Sequence, residues 1–285
     1  MSRSTALEER TQPRFGVDSV FVHSLKAIYV MWYRDVLRFK RERARIIASF
    51  AQPIVWLALF GTGLAPSMLL GGGAAEGRLD YMKFMFPGII GMTILFSSIM
   101  SGLSVAWDRE FGFLKEILVA PVPRPAVAIG KALGGTTVSV IQGALMLIFA
   151  PVLGISLDFR MIPELLAVMI LLAFSLTSLG IVIAARMRSM ETFQVLMQFL
   201  LMPLFMLSGA IFPLRDLPAW MNVLVHLDPV TYGIDPLRQI VLRPSLSAEA
   251  MSAVALYPIP LDLAIIGGFA CLMIALAVWA FNTQE

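Results

Sequence analysis

Cysteine, histidine and charge are all scarce in this chain. One cysteine, Cys271, stands among 285 residues, so an intramolecular disulfide framework is excluded. The two histidines, His23 and His226, lie far apart, and no Cys/His cluster has metal-ligand spacing. Asp, Glu, Lys and Arg make up 14% of the residues, against about 25% in soluble domains. A phosphate-cradling loop is missing as well. Gly130-Lys131 is followed by Ala132 rather than Ser or Thr, and Pro125 stands where the first glycine belongs. No His-Glu-x-x-His run occurs. The chain is therefore not expected to bind a metal or to hydrolyse ATP. No catalytic residue is assigned.

What the chain has is apolar length. Hydrophobic residues make up 58% and the mean hydropathy is +0.82, too apolar for a soluble or a disordered protein. Crossing a bilayer takes about 20 mainly apolar residues. Six runs qualify: 46–64, 84–106, 132–157, 165–185, 193–214 and 263–281. As bounded, none contains Asp, Glu, Lys, Arg or His, which disfavours ion-coupled transport. The fold class expected is an all-α integral membrane protein with six transmembrane helices.

The basic residues orient it. Ten Lys and Arg precede the first span, four (Arg109, Lys115, Arg124, Lys131) follow the second, and two (Arg186, Arg188) follow the fourth. The opposite loops hold Arg78, Lys83, Arg160, Arg215, Arg238 and Arg243. The richer side is cytoplasmic by the positive-inside bias, so both termini are expected inside.

Three segments lie outside the spans. Residues 1–17 are polar and charged, without the order of a signal peptide, and read as a disordered cytosolic tail. In residues 18–45, Phe21, Leu25, Ile28, Trp32, Val36 and Phe39 form one helical stripe, with His23, Lys26, Arg34, Arg38 and Arg41 mostly opposite. The pattern fits an interfacial helix with its basic face toward lipid phosphates, or an ordinary amphipathic core helix. Residues 215–260 are too long for a turn. The half-span at 217–227, the break at Asp228-Pro229 and the stretch at 230–242 predict an external re-entrant or interfacial helical hairpin before the last span. Gly71-Gly72-Gly73 reads as a flexible external connector. The remaining chain, 46–285, is taken as one transmembrane domain.

The loop after span two predicts a short helix ended by Pro121, Pro123 and Pro125, with Phe113, Leu114, Ile117 and Leu118 on one face. By pattern alone it docks either into a partner's groove or onto its own membrane domain. Within this loop, Glu116-Ile-Leu-Val-Ala-Pro121 resembles the Glu-Leu-Leu-x-Ala-Pro signature of ABC-2 type permeases. Further matches follow in the family's order: Phe86-Pro87-Gly88, then Ser208-Gly209 with Phe212-Pro213, then Leu217-Pro218, Trp220, Asp228-Pro229, Tyr232 and Arg238. Asp228 departs from the family's usual Asn. The resemblance covers roughly residue 34 to the C-terminus.

The resemblance implies the membrane subunit of an ABC exporter in the cell membrane. It implies a homodimer, or a close heterodimer, of such chains with two ABC ATPase subunits beneath, on which ATP and Mg would bind. It also implies that the loop helix is the coupling helix, through Glu110, Phe113, Leu114, Glu116, Ile117 and Leu118, and that 18–45 is the connecting helix. On this reading spans two and five line a path at the dimer interface. Phe96, Ser97, Met100 and Ser101 would contribute from one span, and Met197, Leu201, Phe205 and Ser208 from the other. Methionine-rich, uncharged walls suit hydrophobic or amphipathic cargo, although the same residues also suit plain helix packing. Phe212, Trp220 and Tyr232 are expected at an external gate. Export of multidrug type, export of a lipid-linked glycan, an ion-coupled transporter and a non-transport ATPase-associated scaffold are the functions left open.

Overall fold

The computed structural model describes residues 17–63, 81–111, 123–187, 189–214 and 217–283. The expected tail at 1–16, the glycine connector, and Arg188 and Arg215 lie outside these. So do Phe113, Leu114, Glu116, Ile117 and Leu118 of the expected coupling helix.

Every regular element among the described residues is a helix. In chain order the helices are α1 (Val17–Arg41), α2 (Arg43–Gly63), α3 (Tyr81–Ser101), α4 (Leu103–Glu110), α5 (Arg124–Met146), α6 (Met161–Arg186), α7 (Met190–Leu207), α8 (Ala219–Leu227), α9 (Thr231–Leu242), α10 (Ala248–Val254) and α11 (Ile259–Asn282). Two 3-10 turns, Leu147–Phe149 and Pro151–Leu153, extend α5. Among the described residues, five stretches are long and apolar enough to cross a membrane: α3 with α4, α5 with its 3-10 turns, α6, α7 and α11. The first expected span, 46–64, overlaps α2 as far as residue 63, and α2 is not among the five.

Observed helix boundaries move charge into the bundle. Span three was expected from residue 132, with Lys131 in the preceding loop. Pro123 and Pro125 instead start α5 at Arg124, because proline fits the first helical turn, whose N–H groups have no intrahelical partner. Lys131 is thereby carried two turns into the helix and buried. In the same way α11 begins at Ile259, ahead of residue 263, and takes in the fully buried Asp262. The uncharged cores hold as bounded, but the helices that contain them are longer and do carry ionisable groups. Helix α7 ends at Leu207, short of the expected 214, because Gly209 takes a left-handed conformation with φ +71°.

Close helix contacts rest on small residues. Gly102, between α3 and α4, lies against the backbone of Gly180 on α6. Gly130 and Gly134 on α5 lie against Met31 and Asp35 of α1. That contact uses much of the expected stripe, with Ile28 against Gly130 and with Trp32 and Phe39 turned into the bundle. Met31 and Phe39 are buried and Trp32 donates to Thr137 Oγ1 at 2.9 Å, while Val22, Leu25, Tyr29, Val30 and Tyr33 remain exposed. Helix α1 is thus apolar on two sides, one packed on α5 and one free.

Gly88 makes the tightest of these approaches. A Cβ there would stand 2.6 Å from the Ala210 Cα and 2.8 Å from its carbonyl carbon. These are backbone atoms that no rotamer change can withdraw. Gly88→Ala is expected to destabilise the protein by about 1–3 kcal/mol, as overpacking does. A lowered unfolding midpoint in detergent checks this; an unchanged midpoint contradicts the packing.

Candidate functional site

The α4 end of the bundle carries an ion cluster drawn from three elements. Asp108 on α4 accepts from Lys131 Nζ of α5 at 2.7 Å and from Arg34 Nη2 of α1 at 3.0 Å. Lys131, its side chain 1% exposed, also donates to Ser104 Oγ at 3.2 Å. Arg34 Nε lies 3.6 Å from Asp35 Oδ1. The Asp108 carboxylate, shared with Arg34, gives the buried Lys131 ammonium a charged partner.

The same short helix is tied to the next hairpin. Arg109 donates to the carbonyls of Ala185 at 2.6 Å and Met187 at 3.1 Å, satisfying the open C-terminus of α6. Glu110 accepts from Met190 N at 2.8 Å and so caps the N-terminus of α7, where a carboxylate also suits the helix dipole. Residues 112–122, which carry the signature, follow α4 along the chain. Through Asp108, Arg109 and Glu110, α4 is bonded to α1, α5, α6 and α7. Of the expected coupling residues, Glu110 alone is described, and its carboxylate is engaged within the chain. The sequence reading placed Arg34 on the basic face of the first helix and counted Arg109 and Lys131 toward orientation, and it brought none of them together with Asp108. The proline pair that sets the start of α5 is the signal that places Lys131 inside a helix.

The expected path residues separate into two groups. Phe96, Ser97, Met100 and Ser101 line one cavity of about 390 Å³, shared with Asp35, Arg38 and Phe39 of α1, Gln52 and Pro53 of α2, Trp107 of α4, and Gly135, Val138 and Gln142 of α5. Met197, Leu201, Phe205 and Ser208 are buried in the core and do not line it. The Phe205 ring meets Trp56 of α2 edge to face, with centroids 6.2 Å apart. The face that α7 leaves exposed is Val195, Leu196, Phe199 and Met202.

At the opposite end the separated sequence motifs meet. Arg238 is buried, donates through Nη2 to the Gly209 carbonyl and lies 4.1 Å over the Phe84 ring. Tyr81 donates to the Ile211 carbonyl at 3.0 Å. Asp235 Oδ2 accepts from Gln239 Nε2 at 2.8 Å and from the backbone of Leu256 at 3.1 Å. Helices α8 and α9 are separated by Asp228-Pro229, the break read in the sequence. Gly233 packs on Leu172, eleven residues into α6, and Ile234 on Gly91, ten residues into α3. Arg243, past the other end of α9, pairs with Glu164 in the first turn of α6 at 3.0 Å. The expected gate residues do not form one group. Trp220 is exposed. Tyr232 is buried, stacks on Tyr257 and donates to the His226 carbonyl at 2.8 Å. Phe212 packs against the core.

Asp228 accepts from Val230 N at 2.9 Å through Oδ1, while its buried Oδ2 has no partner. Burial pushes its carboxyl up to about 8. The neutral acid is then isosteric with the family's Asn and leaves the turn uncharged. A carboxyl whose folded value is raised holds its stabilising proton at low pH and loses it as pH rises from the ordinary carboxylate range through about 8. Asp228→Asn is therefore expected to match the parent near pH 4 and to exceed it at pH 9 by at least about 1–3 kcal/mol, the cost of an unsatisfied buried group. Unfolding midpoints at the two pH values check this; parallel curves refute it.

A multi-pass helical membrane protein, with an internal ion clamp at one end and a lined cavity between its helices, is the class that fold and site define. The sequence profile of the family described as "ABC-2 type transporter" matches residues 26–242. Similar proteins include ycf38 of Cyanophora paradoxa, which carries a transport-permease name. It is 30% identical over 218 residues, covering 75% of this chain and 73% of the relative. The daunorubicin resistance ABC transporter permease protein DrrB1 of Streptomyces coeruleorubidus is 22% identical, covering 73% and 72%. Nodulation protein J of Rhizobium leguminosarum bv. viciae is 24% identical, covering 80% and 85%. The chain belongs to the ABC-2 type transporter family and is a membrane subunit of an ABC transporter. In this family ATP hydrolysis resides on separate subunits.

Proposed function

We propose that the chain is the permease subunit of an ATP-driven exporter in the cell membrane. In this reading it has six spans and both termini cytoplasmic. It pairs with a second permease chain, most simply a copy of itself, and with two ABC ATPases that hold ATP and Mg. The α8–α9 hairpin is re-entrant, which the contacts of Gly233 and Ile234 deep on α6 and α3 support. Phe113, Leu114, Glu116, Ile117 and Leu118, in the loop that α4 leads into, contact the ATPase.

The observation that carries this reading is the junction at α4. A loop driven from below needs a stiff attachment to the spans above it. Asp108, Arg109 and Glu110 supply that attachment through charge-assisted bonds to four other helices, α1, α5, α6 and α7. Outward movement of cargo then follows from rearrangement of α3 and α7 about this clamp.

Amphipathic cargo is favoured over an inorganic ion by the Phe96–Met100–Val138 wall of the cavity. Path contacts at Met197, Leu201, Phe205 and Ser208, and gate roles for Phe212, Trp220 and Tyr232, belong to a rearranged state in which α7 has moved.

The test is co-purification of the tagged chain from its native membrane in mild detergent. An ABC ATPase at one copy per permease is expected, and Glu116→Lys is expected to lower its recovery or its substrate-stimulated turnover about tenfold. Recovery of the permease without any ATPase, under conditions that preserve a control ABC complex, removes the reading.

A further inference from the structure

The cavity between α1, α2, α3, α4 and α5 has two chemically different poles. Its exposed rim is formed by Arg38, Gln52 and Trp107, and its inner end by Met92, Thr93 and Gln142. Between the poles the walls are Pro53, Phe96, Met100 and Val138. From Trp107 to Met92 the α3–α4 rod rises roughly 22 Å at about 1.5 Å per residue. One leaflet, half of a hydrocarbon core of about 30 Å plus its headgroup layer, has that depth.

The rim carries cationic charge. Arg38 lies 5.5 Å over the Trp107 ring, and its Nε pairs with Glu42 at 3.0 Å, an arrangement that engages one edge of the guanidinium. Arg34 and Arg41 border the adjoining groove with Arg38 and Glu42. Asp35, the acidic group on the cavity wall, faces Arg34.

The inner pole carries an unanswered polar group. Gln142 is 3% exposed, lines the cavity and has no hydrogen-bond partner among the described residues. A buried amide needs a partner of matching polarity, and a plain hydrocarbon end supplies none.

We propose that this cavity binds one elongated amphiphile, anionic at one end and bearing a hydroxyl or carbonyl group at the other. The anion sits on Arg38 at the rim. The apolar body lies along Phe96, Met100 and Val138, and the far polar group bonds the Gln142 amide. The site is complete within one chain and needs no second permease. The proposal rests on the permease reading only in calling the occupant cargo; binding itself needs neither ATP nor a partner.

The test is equilibrium binding of labelled 16-hydroxyhexadecanoic acid and of hexadecanoic acid to the full chain in phosphatidylcholine nanodiscs, with empty discs subtracted. One saturable site per chain is expected, with the hydroxy acid bound about five- to tenfold more tightly, as one net buried hydrogen bond gives. Gln142→Leu is expected to abolish that preference while retaining hexadecanoate binding. Arg38→Gln is expected to weaken both acids about tenfold. Absence of saturable binding, or equal affinity of the wild-type chain for the two acids, overturns the proposal whether or not the variants fold. A preference that survives Gln142→Leu also overturns it. ATPase recovery is read separately, so failure here leaves the permease reading standing, and failure there leaves this site standing.

Discussion

Asp108→Ala is expected to be the most damaging single substitution among the described residues, costing about 3–5 kcal/mol, because it leaves Lys131 buried without its carboxylate. A buried ammonium that loses its partner either deprotonates or draws water into the bundle, and both open the α1–α4–α5 contact. Charge itself is not what the site requires for folding. The double variant Asp108→Leu with Lys131→Met fills similar volume without ions, and is expected to recover most of the lost stability, as replaced buried pairs commonly do. It is not expected to recover coupling, since Arg34 of α1 then has nothing on α4 to hold. Unfolding midpoints of both variants, set beside substrate-stimulated ATP turnover of the assembled transporter, separate the two roles. A double variant that couples normally would show the cluster to be structural filling alone.

Arg238→Ala is the second large effect, at least about 2 kcal/mol, from the lost contact over Phe84 and the orphaned Gly209 carbonyl. Arg238→Lys is expected to rescue little of it. An ammonium is a point charge and cannot both lie flat on the ring and extend a donor to the α7 terminus as a planar guanidinium does. The readout is the unfolding midpoint together with protease cleavage in the α8–α9 hairpin, which α9 anchors through Arg238. Full rescue by lysine would mean that charge alone, and not the planar contact, holds this end together.

These two sites show which features composition and spacing reveal. Apolar runs of sufficient length placed the helices, because a segment in lipid must satisfy its own backbone hydrogen bonds whatever its neighbours do. The two short helices in 217–242 were legible for a related reason: their apolar stretches are too short to cross, and Asp228-Pro229 breaks them. Helix ends were less legible. A hydropathy window stops at the first charge, whereas a helix stops where its capping fails, so Lys131 was counted as a loop residue and Asp262 fell outside the last span, and both are inside helices. The motif residues Phe86-Pro87-Gly88, Ser208-Gly209 and Arg238 were visible one by one. That they form a single contact, with Gly88 on Ala210 and Arg238 on Gly209, was not, since more than 100 residues separate Gly88 from Ala210 along the chain.

The candidate path shows the same division more sharply. Helical spacing correctly put Met197, Leu201 and Phe205 on one face of α7, and Phe96 and Met100 one turn apart on α3. Spacing fixes only which residues share a face, because it depends on rotation about one helix axis. It does not fix which neighbour that face meets. In the structure the α3 face meets a cavity shared with α1 and α5, while the α7 face is buried in the core, with Phe205 against Trp56 of α2.

The sequence by itself determined the membrane class, the approximate spans, the family and the absence of an ATP-binding loop. Each of these depends on local composition or on a short ordered motif. Only the tertiary structure decided that Asp108, Lys131 and Arg34 share one charge cluster, that Glu110 caps α7, and that Gln142 and Arg38 stand at opposite ends of one cavity. Those relations join residues on different helices, and they come into being only when rods of fixed rise pack at particular rotations and depths.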